Sequence, residues 1–201
     1  MPGVDARRRA LSGAMLACGA WPTLVRAASP AASSGASWSG APPLPDAQLV
    51  DHLGRAVWLR RVLREQTGVV ISFFYTGCST VCPPQTALLR DLRQQLDSRT
   101  DTRRVLLVSI SVDPLGDGPD QVRDHLRRFQ IDAGPDKGWL WLTGQPAEVS
   151  GVLRGFGVKP SAAADHPNLL WMADIRRERW TRTAALQEPR QVAQRLQELL
   201  S

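Results

Sequence analysis

Two stretches decide what this chain can become. Val69-Val70-Ile71-Ser72-Phe73-Phe74-Tyr75 and Val105-Leu106-Leu107-Val108-Ser109-Ile110-Ser111-Val112 are apolar nearly throughout, with no alternation of polar and apolar positions. Each is too short for a buried helix and rich in β-branched or aliphatic residues, so each reads as a strand covered on both faces. Between them Leu88, Leu89, Leu92 and Leu96 mark one face of a helix across residues 84–97. Continuous apolar strands joined through a helix pair in parallel, because the crossover helix lies on the sheet and covers it. The chain is thereby committed to an α/β domain.

The remainder extends the same pattern. Val122, Leu126 and Phe129 give a second helix, opened by Pro119 at a first-turn position. Trp139-Leu140-Trp141-Leu142 reads as a third strand, and Val149, Val152, Leu153 and Phe156 as a third helix. Leu169-Leu170-Trp171-Met172 and Arg179-Trp180-Thr181-Arg182 flank a charged turn and read as an antiparallel hairpin; Val192, Leu196 and Leu199 mark a closing helix. Leu49 to Leu59, around His52-Leu53-Gly54, reads as a small N-terminal hairpin. The expected architecture over residues 46–201 is a three-layer α/β fold, a mixed central sheet flanked by helices. A domain of that length buries about 68–70% of its unfolded surface and needs no disulfide to stand. Trp139, Trp141 and Trp171 are expected as packing groups, Trp180 as a partly exposed residue beside Arg179 and Arg182, and Asp113 as a turn cap.

The first residues read differently. Arg7, Arg8 and Arg9 precede an uncharged run, Ala10 to Val25, and Val25-Arg26-Ala27 offers small residues for cleavage. That is the pattern of a signal peptide over residues 1–27; an uncleaved N-terminal anchor is the alternative, although the run falls short of the ~20 strongly apolar residues of a membrane span. Residues 28–45, mostly Ala, Ser, Gly and Pro, read as a flexible linker. The formal charge of +6 shrinks once the leader is removed, to 21 basic against 18 acidic residues. The arginines are scattered, with no basic run interleaved with aromatics, so the charge speaks to solubility and not to nucleic-acid binding. Cys18 leaves with the leader, and Cys78 and Cys82 remain in an oxidising compartment.

These two cysteines lie in Tyr75-Thr76-Gly77-Cys78-Ser79-Thr80-Val81-Cys82-Pro83-Pro84, between the strongest strand and the first long helix. Sites in parallel sheets gather beyond the carboxyl ends of strands, and a helix N-terminus stabilises thiolates. Three residues separate the cysteines, where the redox C-x-x-C signature has two. Helical i, i+4 Cβ atoms lie ~5–6 Å apart, wide for a disulfide at ~3.8 Å and easier for two sulfurs sharing a metal. A loop position for Cys78 leaves the disulfide open. Structural zinc would call for four protein ligands, whereas two thiolates and one imidazole form a soft set suited to copper. Of the histidines, His125 reads as a solvated helix position and His52 as a hairpin-turn residue without chemical role. His166, in Asp165-His166-Pro167-Asn168 before the strand at Leu169, reads equally as a ligand or as a surface residue.

Four stretches carry a likeness: Phe73 to Cys78 through Cys82-Pro83; Ser109-Ile110-Ser111-Val112-Asp113-Pro114 with Asp117-Gly118-Pro119; Asp165-His166; and Arg179-Trp180-Thr181-Arg182. Through them the chain resembles the Sco/SenC (PrrC) family, exported, thioredoxin-like copper proteins of cytochrome oxidase assembly. The resemblance implies a thioredoxin-like fold, a copper ion held by Cys78, Cys82 and His166, and Asp165 supporting the histidine. It implies a metallochaperone that delivers copper to the copper centre of a respiratory cytochrome oxidase. The alternative is a thiol–disulfide oxidoreductase in which Cys78 and Cys82 are catalytic and keep the oxidase's copper-site cysteines reduced. The implied partners are an oxidase subunit carrying a copper site and another periplasmic copper chaperone. The implied location is the bacterial periplasm, soluble or tethered to the inner membrane. Many members carry Pro-Asp between the cysteines; this chain has Ser79-Thr80.

Overall fold

The two apolar stretches pair in parallel along their full length, from Gly68 opposite Val105 to Phe74 opposite Ser111. The computed structural model describes residues 39–98, 105–159 and 168–201. In chain order these form β1 (Gln48–Asp51), β2 (Ala56–Trp58), α1 (Leu59–Arg64), β3 (Gly68–Phe74) and α2 (Cys82–Asp97). There follow β4 (Val105–Ser111), α3 (Pro119–Arg128), β5 (Trp139–Thr143), α4 (Pro146–Gly155), β6 (Leu169–Asp174), β7 (Arg179–Ala184) and α5 (Pro189–Leu200). The leader and residues 28–38 of the expected linker lie outside the described residues.

Among the described residues one sheet runs in the order β2-β1-β5-β4-β3-β6-β7. Its centre, β5-β4-β3, is parallel. The flanks are antiparallel: β6 on β3, β7 on β6, and the β1–β2 hairpin on β5. Every residue of β3, β4 and β5 is buried, the physical reason their sequences show no alternation.

Side chains alternate across the sheet, and so the core has two halves. Val70, Phe74, Leu107, Trp139 and Trp141 face one layer, packed under Leu88, Leu89, Leu92 and Leu96 of α2 together with α3 and α5. Val69, Ile71, Phe73, Val108 and Ile110 face the other, under α1 and α4. Burying each α2 leucine contributes roughly 1.5–3 kcal/mol. The polar interruptions of the two central strands answer each other: the hydroxyls of Ser72 and Ser109 lie 2.9 Å apart, and the Trp139 indole N–H donates to Ser109 at 3.0 Å. Arg93 pins α2 to the sheet, donating from one guanidinium nitrogen to the carbonyls of Val105 (2.7 Å) and Gly138 (3.2 Å). Four helices open with proline in the first turn, where its missing N–H costs nothing.

Three expectations need correction. The six-residue α1 went unanticipated, because a turn and a half leaves too little periodicity to read. Trp180 is not a surface residue: it is 4% exposed and packs against Phe156 and Trp171. Its backbone pairs with Ser39, N–H to carbonyl in both directions at 2.8 and 3.0 Å. The end of the expected linker, residues 39–45, therefore meets the domain. No helix among the described residues is long and apolar enough to cross a membrane.

Candidate functional site

The cysteines sit where the central sheet ends. β3 finishes at Phe74, the chain turns so that the Cys78 N–H donates to the Tyr75 carbonyl at 3.1 Å, and Cys82 is the first residue of α2. Helix α2 thus starts two residues before the expected position, and Cys82 belongs to its first turn. The turn folds Cys78 back over that N-terminus: the Cys82 N–H donates to the Cys78 sulfur at 3.3 Å. Both thiols are free and buried.

Their environments differ in a way that sets their chemistry apart. Burial would push the Cys78 thiol up, but hydrogen bonds from the Cys82 side chain and from the backbone amides of Cys82, Thr80 and Val81 outweigh it and hold the thiol down at about 7. Burial, with that same hydrogen bond to Cys78, pushes Cys82 up to about 12. Near neutral pH Cys78 is therefore the readily ionised thiol, while Cys82 stays protonated. Such a pair can attack a disulfide from Cys78 or offer two soft donors to one metal ion.

Residues absent from the sequence-based site surround the pair. The Tyr75 phenol hydrogen-bonds to Cys78; burial, then the neighbouring sulfur, pushes it above the usual range. Asp117, in the loop between β4 and α3, accepts from the Thr76 N–H at 2.9 Å and from the Thr76 hydroxyl at 2.6 Å. Its other oxygen accepts from the Ser111 hydroxyl at 2.6 Å. Asp117 stands in one of the stretches that carry the likeness, but its place one residue ahead of Gly118-Pro119 marks a helix opening equally well.

His166 and Asp165 lie outside the described residues. What is described is where their segment rejoins the sheet. β6 runs antiparallel to β3, so Leu169, its first residue, lies at the end of the sheet where β3 finishes and the cysteine loop begins. Among the described residues no group of three His, Cys, Asp or Glu side chains could hold a metal. Both described histidines, His52 and His125, are buried. His125 is not solvated, as its charged neighbours led us to expect, but 1% exposed. It packs between Phe74, Phe129 and Trp141 with neither ring nitrogen hydrogen-bonded. Burial, then the Arg128 charge, holds its imidazole down at about 4. His52 is buried in the β1–β2 hairpin, and burial lowers its basicity.

A family model described as SCO1/SenC matches residues 44–201. The chain is 35% identical over 72 residues to the SCO1 protein homolog of Bacillus subtilis (strain 168), a match spanning 36% of this chain and 35% of that protein. Among solved structures it is similar to Bradyrhizobium japonicum ScoI with copper bound, at 25% identity and a TM-score of 0.61, covering 76% of this chain and 96% of that one. It is similar also to BsSco, described as having a disulfide switch and as a member of the Sco family of cytochrome c oxidase assembly proteins. There the identity is 20% and the TM-score 0.64, over 82% of this chain and 96% of that one. The shared architecture is the thioredoxin-like α/β fold.

Proposed function

The chain belongs to the SCO1/SenC family, and from that membership we propose that it is a copper-binding metallochaperone. It acts in the bacterial periplasm, delivering copper to the copper centre of a respiratory cytochrome oxidase and helping to assemble it. The observation that carries this reading is the pair of buried free thiols, Cys78 and Cys82, sharing a hydrogen bond at the start of α2. Two soft donors at a helix N-terminus suit a soft cation, and a solved relative holds copper. The third ligand is His166, with Asp165 orienting its ring. The antiparallel course of β6 supports this, since it returns the chain at the cysteine end of the sheet. Copper is cargo here: thiolates of the receiving oxidase subunit displace Cys78, Cys82 and His166 in turn, and another periplasmic chaperone supplies the ion. Residues 1–27 direct export or anchor the chain to the inner membrane, and 28–45 link them to the domain.

A second reading, a thiol–disulfide oxidoreductase, is favoured by the unequal thiols. The Cys78 thiolate attacks a partner disulfide and forms a mixed disulfide, releasing one partner thiolate. Cys82 then loses its proton and attacks the Cys78 sulfur, which expels the second. The partner leaves as a dithiol and this chain as the Cys78–Cys82 disulfide.

Anaerobic copper titration of the wild type, Cys78→Ser and His166→Ala separates the two. The metallochaperone reading predicts one copper per chain and a loss of affinity of at least about tenfold in His166→Ala, with exchange toward a small-molecule disulfide retained. Wild-type affinity in His166→Ala contradicts the three-ligand site.

A further inference from the structure

The buried carboxylate beside the cysteine loop is an expensive arrangement with no counter-cation. Asp117 is 1% exposed, and among the described residues it forms no ion pair; its oxygens are held by three neutral donors. A charge in that position is costly unless its hydrogen bonds are good, and these are, at 2.6 to 2.9 Å. Where the donors come from is the telling point. The β3–β4 ladder ends at Phe74 opposite Ser111, extended by the Val112 N–H donating to the Phe74 carbonyl at 2.8 Å. Beyond it the two chains diverge, one toward the cysteines and the other toward α3. Asp117 bridges that divergence, one oxygen on Thr76 and the other on Ser111. It is itself fixed by its N–H donating to the Asp113 carbonyl at 2.8 Å, while the Asp113 N–H donates to the Ser111 hydroxyl at 3.0 Å.

We propose that Asp117 is a positioning residue for the cysteine pair: by gripping both the backbone and the hydroxyl of Thr76, it holds the loop that folds Cys78 over the first turn of α2. This rests on the thiol chemistry proposed above for Cys78 and Cys82. The contact between the Cys82 N–H and the Cys78 sulfur exists only while residues 75–78 keep their turn, and Thr76 is the side chain through which the neighbouring strand fixes that turn. The grip stabilises the reduced pair in its hydrogen-bonded arrangement. Releasing it removes an advantage that the disulfide never had.

The test needs no copper. The full chain, as wild type, Asp117→Ala, Asp117→Asn and Thr76→Val, is equilibrated with reduced and oxidised glutathione. The reaction is protein dithiol plus glutathione disulfide giving protein disulfide plus two glutathione. Samples are alkylated, and the Cys78–Cys82 peptide is read by mass spectrometry. Asp117→Ala is expected to favour the disulfide at least tenfold, a midpoint about 30 mV more negative. Asp117→Asn, which keeps an acceptor for Thr76, is expected within about twofold of wild type by that reasoning, and Thr76→Val is expected to shift in the alanine direction by less. A merely structural carboxylate would lower the melting temperature and leave this equilibrium alone. The proposal is overturned if a cooperatively melting Asp117→Ala equilibrates at the wild-type ratio, or if Asp117→Asn moves as far as Asp117→Ala. Should Asp117→Ala not fold, a wild-type ratio in Thr76→Val overturns it. A wild type that bound no copper would end the metallochaperone reading and leave this result untouched.

Discussion

A buried imidazole with no hydrogen-bond partner is a residue-scale liability, and His125 is one. Its ring lies against Phe74, the last residue of β3 before the cysteine loop, so its protonation state bears on the wall behind the site. In the unfolded chain this histidine takes a proton near pH 6.5; in the fold it does so only near pH 4. The unfolded state therefore binds more protons across that window, and the stabilisation is complete above about pH 6.5 and lost as pH falls toward 4. The loss amounts to about 3 kcal/mol at most, taking 1.36 kcal/mol for each unit. Urea melts of wild type and His125→Phe between pH 7 and 4.5 should show the wild type losing stability faster, with the gap widening as pH falls; parallel curves would contradict it. The signal was present in the sequence but weaker than its surroundings. Val122, His125, Leu126 and Phe129 share one helix face, yet Arg123, Asp124, Arg127 and Arg128 surround the histidine and suggest water. Asp117 lies within a stretch that carries the likeness yet drew no role of its own, because an acidic residue before Gly-Pro is explained by the helix it precedes.

At the scale of elements, the central strands were readable because burial on both faces leaves few polar residues in them, and α2 because its leucines recur at helical spacing along one face. Two serines of those strands are partners, Ser72 facing Ser109 in the ladder. Short elements and edge contacts were not readable: α1 spans too few residues to show a period, and the pairing of Ser39 with Trp180 depends on a strand 141 residues away. The element that most directly sets the cysteine geometry is α2, whose first residue is Cys82 and whose leucines anchor it to the sheet. Leu92 is fully buried at the middle of that face. Leu92→Ala should lower stability by about 2–5 kcal/mol, through lost transfer energy and the cavity left behind. Denaturant unfolding checks it; a loss below about 1 kcal/mol would mean that α2 is not held by this face.

For the whole molecule, the sheet order decides which distant segments share an end of the sheet. The first ligand candidates are four residues apart and visible at once; His166 lies 84 residues beyond Cys82 in the chain, and nothing local connects them. Among the described residues β6 runs antiparallel to β3, so Leu169, three residues beyond His166 in the chain, lies at the cysteine end of the sheet. Periodicity marked the hairpin of β6 and β7 but could not say which strand it would join. The measurement that bears most directly on the proposed site is X-ray absorption of the copper(I)-loaded protein, wild type and His166→Ala. The account predicts two sulfur neighbours and one nitrogen around the ion, with the nitrogen lost in the variant. A wild-type ion bound by sulfur alone, or a nitrogen that survives the substitution, would contradict it.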